Sequence, residues 1–261
     1  MKFIKFLTLL ILAACLFSCG RSGTEETSKE TSAAADTMKY QTDQFADLRI
    51  LRYTVPGFEQ LTPKQKELTY YLYEAALSGK DIIWDQNYKY NLAVRKALEA
   101  IVATYKGDKN TDDYKKFMVY AKRVWYSNGI HHHYSNIKFT PECSKEYFAE
   151  LVKNSDIPAD GTSSPLNKGE TVDGFITRIT PIVFDPAIAP KKINLDSKQD
   201  MVTTSATNFY EGVNQKEVTA FYDAMNDTSN KTPISYGLNS KLVKENGKIF
   251  EKVWKVGGEV V

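Results

Sequence analysis

Between Thr62 and Gly129 the sequence punctuates three helices one after another, and this constrains the fold more than any other feature. Thr62-Pro63-Lys64-Gln65 opens the first with a hydroxyl to cap the orphan amides, a proline where a missing N–H does no harm, and a glutamine three residues after the cap. Leu68, Tyr71, Leu72 and Ala75 follow at helical spacing, and Gly79 offers a left-handed stop. A second helix, from about Asn91 to Tyr105, carries Val94, Ala97, Leu98, Ile101 and Tyr105 on one face and ends before Gly107. A third, from about Thr111 to Tyr126, carries Tyr114, Phe117, Ala121 and Val124/Trp125 and ends near Asn128-Gly129. Their short connections predict an antiparallel helical layer.

The texture changes further on. Thr140-Pro141 predicts a helix through Tyr147, Phe148, Leu151 and Val152, followed by a turn-rich stretch from Ile157 to Gly169. Phe175 to Phe184 is β-branched and aromatic, which reads as a strand or as a short helix ending at Pro181. Asn214-Gln215-Lys216-Glu217 repeats the capping-box pattern ahead of Val218, Phe221, Tyr222 and Met225. Ser235 to Lys244 and Lys248 to Val256 flank Asn246-Gly247, the pair that a two-residue type I′ turn favours most, and so read as a hairpin. The expected fold class is α+β: an N-terminal helical layer, then mixed strands, a helix and a β-hairpin.

The first residues, MKFIKFLTLLILAACLFSCG, combine Lys2 and Lys5 with an apolar run too short to span a bilayer, the pattern of an export signal. Residues 1–18 are expected to be removed. Cys19 then resembles the lipidated cysteine of bacterial lipoproteins. Cys15, after Leu12-Ala13-Ala14, fits that pattern at least as well, but cleavage at Cys19 removes every apolar leader residue. Residues 19–40 read as a polar, disordered tether rich in Ser, Thr, Glu and Ala, and residues 41–261 as the folded part. The expectation is an exported, membrane-anchored lipoprotein, facing the periplasm or on the outer membrane. The formal charge of +2 is carried by the leader's two lysines, so the body is balanced and shows no basic footprint for nucleic acid.

Self-sufficient chemistry is hard to find. The three histidines are adjacent, in Asn128-Gly129-Ile130-His131-His132-His133-Tyr134. Three neighbouring side chains cannot converge on one ion, although His131 and His133 share a face of an extended backbone. With no other histidine, no Cys-x-x-Cys and no His-Glu-x-x-His, a complete His-rich or Cys-rich metal site is excluded. Local hydrogen bonding in a loop is the simpler role for the run. Cys143, the one cysteine in the folded part, reads as a buried, inert thiol rather than a nucleophile, and no disulfide within the body is possible. Neither a Gly-x-Ser-x-Gly elbow nor a phosphate-binding glycine loop is present.

Four phrases, in order, resemble the N-terminal part of the dipeptidyl peptidase III family in its bacterial branch. They are Phe45 to Phe58 (FADLRILRYTVPGF), Lys80 to Leu92 (KDIIWDQNYKYNL), Arg123 to Phe139 (RVWYSNGIHHHYSNIKF) and Ser235 to Gly258 (SYGLNSKLVKENGKIFEKVWKVGG). The resemblance implies a zinc exopeptidase that releases dipeptides from peptide N-termini in a wide cleft between two lobes. It also implies zinc bound by a His-Glu-x-x-Gly-His helix and by a glutamate of a later Glu-Glu-x-x-Ala helix. Both motifs are absent from this sequence. The chain is therefore expected to match the non-zinc, substrate lobe, to be truncated relative to the family, to bind no zinc alone and to contribute no catalytic residue. Asn128, His131, His132, His133 and Tyr134 are the residues expected to face the cleft. The hairpin and Phe175 to Phe184 are expected to expose apolar faces toward the other lobe. The alternative is a membrane-tethered lipoprotein that binds peptides without cleaving them, suggested by the 16 tyrosines and the tether.

Overall fold

The computed structural model describes residues 38–226, 229–232 and 234–255. The leader, Cys15, Cys19 and nearly all of the tether lie outside the described residues, as does the sequence from Val256 onward. The architecture is α+β. The elements in order are β1 (Gln41–Phe45), β2 (Leu48–Leu51), a 3-10 turn (Phe58–Gln60), α1 (Pro63–Ser78), α2 (Lys80–Asn87), α3 (Asn91–Thr104), α4 (Asp112–Ser127), α5 (Lys145–Lys153), α6 (Val172–Phe184), α7 (Met201–Thr204), β3 (Tyr210–Glu211), α8 (Gln215–Asp223), β4 (Ser240–Glu245) and β5 (Lys248–Val253).

The helix starts follow their side chains. Thr62 and Gln65 exchange the reciprocal bonds of a capping box, and Asn214 and Glu217 do the same ahead of α8. Thr111 caps α4, and Asn128 ends it in the left-handed region at φ 51°. Val94, Leu98 and Ile101 of α3, Phe117 and Val124 of α4, Phe148 and Leu151 of α5, and Phe175 and Ile179 of α6 form one buried cluster. A second, smaller cluster joins Val202, Val213, Val218 and Leu242 under the three-stranded sheet. In that sheet β3 runs parallel to β4, and β4 pairs antiparallel with β5 from Ser240 opposite Val253 to Glu245 opposite Lys248. The Asn246-Gly247 turn has both residues at positive φ, 51° and 77°, as a type I′ turn demands.

Four expectations need correction. First, Gly79 is right-handed (φ −87°, ψ −1°), so the chain runs straight on into α2 instead of stopping. α1 also does not join the helical layer. None of its residues is buried, and Leu68, Tyr71 and Leu72 are about three-fifths exposed. Second, the helix expected at Thr140-Pro141 begins only at Lys145, where Ser144 accepts the amide of Tyr147 at 3.0 Å. The backbone before it is already committed, since the Phe139 amide donates to the Ile130 carbonyl at 2.8 Å. Third, Phe175 to Phe184 is neither a strand nor a helix that ends at Pro181. It belongs to a helix capped by Thr171, and Pro181 lies inside it. Burial of Phe175, Ile179, Ile182 and Val183 at helical spacing outweighs the local β preference. Fourth, this face is therefore covered rather than exposed.

The N-terminal hairpin β1–β2 carried no sequence signal that was read. Asp43 and Asp47 pair with Lys122 (2.7 Å) and Arg123 (3.1 Å) of α4, and so fix it to the layer.

Because α1 buries nothing, Leu72→Ser is expected to change unfolding free energy by no more than about 0.5 kcal/mol. Leu98→Ala, in the core, is expected to lower it by about 2 to 5 kcal/mol. Urea unfolding of both variants checks the contrast.

Candidate functional site

The site is built around the turn from α4 into the histidine run. Asn91, fully buried at the start of α3, donates through Nδ2 to the Trp84 carbonyl (3.2 Å) and accepts the Ile130 amide on Oδ1 (3.1 Å). Asn87 donates to the carbonyl of Asn128 at 3.0 Å. Gly129 lies between them at φ 151°, and a Cβ there would sit 2.3 Å from Asn91 Nδ2, so only glycine fits. The chain then doubles back. Ile130 pairs with Phe139, His131 lies opposite Lys138, and the His132 amide donates to the Ile137 carbonyl at 2.8 Å.

His131 is 2% exposed. Its Nε2 lies 2.8 Å from the Ala189 carbonyl, which can only accept, so Nε2 carries the proton and Nδ1 is left as a buried acceptor without a partner among the described residues. Tyr88 packs edge-on against the ring, with centroids 5.8 Å apart. Burial pushes the imidazole down to about 4. His132 turns its Nδ1 inward to accept the amides of Tyr134 and Ser135, both at 3.1 Å. His133 stacks on His132 at 4.5 Å and meets the edge of Tyr126 at 5.0 Å; burial, with His132 and Lys192 nearby, holds it below the usual histidine range. Tyr134 is 84% exposed. Of the five residues singled out from sequence, Asn128 and His131 thus hold the fold, while His132, His133 and Tyr134 form an adjoining aromatic surface. His131 and His133 do not converge.

Opposite His131, the Lys138 ammonium is buried and donates to the carbonyls of Ile182 (3.0 Å), Ile188 (2.8 Å) and Asp185, at and just beyond the end of α6. Burial lowers its pKa, and the nearby Asp185 opposes that. The Lys138 amide also donates to the Pro190 carbonyl at 3.1 Å, so the histidine loop and segment 188–192 are stitched together.

That segment forms one wall of a cleft of about 620 Å³, which sequence reasoning missed. Tyr88 and Lys89, from the α2–α3 turn, face Lys191, Asn194, Asn208 and Tyr210 across it. Asn194 is 6% exposed and donates to Gln199 Oε1 (3.1 Å) and Thr204 Oγ1 (2.9 Å), while its own Oδ1 accepts from Lys191 Nζ (3.3 Å). Behind Asn208 sits Asp85, also buried, whose carboxyl burial raises to about 6. A Ser/Thr/Asn-rich stretch reads as loop in the sequence, and nothing there distinguishes a buried asparagine from an exposed one. Cys143 is buried and its thiol pushed up to about 11, too high for a nucleophile near neutral pH.

No family model matches the chain, and no curated protein matches it.

His131 and Asp85 make opposite contributions to the pH dependence of stability. For His131 the folded value (about 4) lies below the unfolded 6.5. Its neutral ring therefore costs nothing above pH 6.5, and about 3 kcal/mol is lost as pH falls from 6.5 to 4. For Asp85 the folded value (about 6) lies above the unfolded 3.8. Its burial therefore destabilises above pH 6 by about 3 kcal/mol, a cost relieved on the way down to pH 4. The two nearly offset in the native chain, and substitution separates them. Relative to wild type, His131→Phe is expected to gain stability by about 3 kcal/mol between pH 7 and pH 4 and Asp85→Asn to lose a similar amount, read by urea unfolding at each pH.

Lys138→Met leaves three carbonyls without their donor and is expected to lower stability by about 2 to 4 kcal/mol at pH 7. Thermal and urea unfolding at that pH measure it.

Proposed function

We propose that this chain supplies the substrate lobe of an exported, lipid-anchored, zinc-dependent dipeptidyl peptidase of the dipeptidyl peptidase III type, which releases dipeptides from peptide N-termini. One observation carries the reading. Three of the four phrases that resemble this family, far apart in sequence, meet at one structural joint. Asp47 of the first pairs with Arg123 of the third, and Asn87 and Asn91 of the second hold Asn128 and Ile130 of the third. These contacts make the three phrases parts of one structural unit, as a shared lobe would require.

The donor chemistry of the histidine loop does not fit zinc. Nδ1 of His132 is engaged by two backbone amides, and the free Nδ1 lone pair of His131 is buried and does not converge with His133. A zinc ligand needs a free imidazole lone pair aimed at the ion alongside two or three others. In this reading the metal that lowers the pKa of a bound water to about 7 and polarises the scissile carbonyl belongs to residues outside this sequence. The part this chain plays is to position substrate, and alone it does not hydrolyse peptides.

The purified chain from Gly20 onward, assayed with a chromogenic dipeptidyl arylamide and added zinc, is expected to show no turnover above the zinc-only control. DNA following the Val261 codon, read in all three frames, is expected to encode a His-Glu-x-x-Gly-His motif. Zinc-dependent turnover by the chain alone, or absence of the motif from every frame, would overturn the reading.

A further inference from the structure

We propose that the cleft between the α2–α3 turn and segment 189–210 is a binding site for a small polar ligand that carries an oxyanion, a carboxylate or a phosphate. The inference rests on the cleft alone and holds whether or not the chain is part of a peptidase.

At about 620 Å³ the cleft is of the size that takes small ligands. Its chemistry is lopsided. Lys89 and Lys191 both line it, and no Asp or Glu does among the described residues. Carboxylates outside the lining are engaged elsewhere: Asp85 stands behind Asn208, Glu211 is paired with Lys241 while also feeling the charge of Lys89, and Asp196 accepts from Gln199 and from the amide of Lys198. The lining is also rich in donors that the protein leaves unused. The hydroxyls of Tyr88, Thr207 and Tyr210 and the ammonium of Lys89, which lies over the Tyr90 ring at 5.2 Å, have no hydrogen-bond partner among the described residues, although they share one concavity. Burial raises the pKa of both tyrosines, so their hydroxyls stay protonated and able to donate. Two ammoniums with three free hydroxyls and no carboxylate in the lining favour an oxygen anion over a cation or an apolar body.

The walls are also held in place before any ligand arrives. Ala206 donates to the carbonyls of Lys191 (3.1 Å) and Lys192 (3.0 Å), Thr207 donates to Lys192 (3.2 Å), and Asn208 donates to Gln86 (2.9 Å). Lys191 is itself steadied by Asn194 at 3.3 Å. Binding therefore needs little ordering of the protein, which leaves more of the interaction energy for affinity.

Calorimetric titration of the purified chain with inorganic phosphate, with tri-alanine bearing a free carboxylate, and with tri-alanine amide tests this. Saturable binding of phosphate, of the free acid or of both is expected, with the amide at least about tenfold weaker than the acid wherever the acid binds. Binding of the acid identifies a peptide terminus as the source of the anion, and binding of phosphate alone identifies a phosphate ligand. The double variant Lys89→Met/Lys191→Met alters two exposed side chains and is expected to unfold at the wild-type temperature while losing at least about tenfold in affinity. No saturable heat from either oxyanion up to about 10 mM, equal binding of acid and amide, or undiminished binding by the double variant would overturn the proposal.

Discussion

Lys138 is the point on which the middle of the molecule depends. A buried ammonium is unfavourable unless its protons are satisfied, and here three carbonyls at and beyond the end of α6 take them. The partial negative charge at a helix C-terminus favours a cation in this place. The same residue uses its backbone to pair with His131 on one side and Pro190 on the other. One side chain therefore fixes the histidine loop against α6 and, through segment 188–192, sets one wall of the cleft.

This arrangement explains why the histidine run is poor in free chemistry. A buried loop must satisfy its own backbone, and in this one the imidazoles do part of that work. His132 caps two amides through Nδ1 and His131 holds a carbonyl through Nε2, so one nitrogen of each ring serves as scaffold. The neighbouring cleft has the opposite character. Its backbone is satisfied by other backbone, as in the bonds from Ala206 and Thr207 to Lys191 and Lys192, and its side-chain donors are left over. Sites that can bind are those where the fold has been completed without them.

Where structure is set by local chemistry, the sequence is a good guide. Both capping boxes, the Thr111 cap, the left-handed Asn128 and the Asn246-Gly247 turn are decided within a few residues, and each forms as its pattern predicts. Where a distant partner decides, the guide fails. The β-branched run in α6 takes its conformation from the core it packs into, and the start of α5 is displaced by the pairing of Phe139 with Ile130. α1 has a correct helical pattern and cap, yet no pattern within it records whether a neighbour is present to cover it. The histidines were legible as a loop. The cleft was not, because Lys89, Lys191, Asn194 and Asn208 are distant in sequence and ordinary in type.

The isolation of α1 bears on how the molecule moves. A helix that packs on nothing has no burial to oppose its opening, and its hold on helicity comes from the Thr62 cap, its internal hydrogen bonds and its continuity with α2 across Gly79. Its backbone amides should exchange with solvent by fraying from Pro63 inward, independently of the cooperative unit formed by α3 to α6. Any surface that covers Leu68, Tyr71 and Leu72 would convert this segment from an unprotected helix into part of the slow-exchanging core.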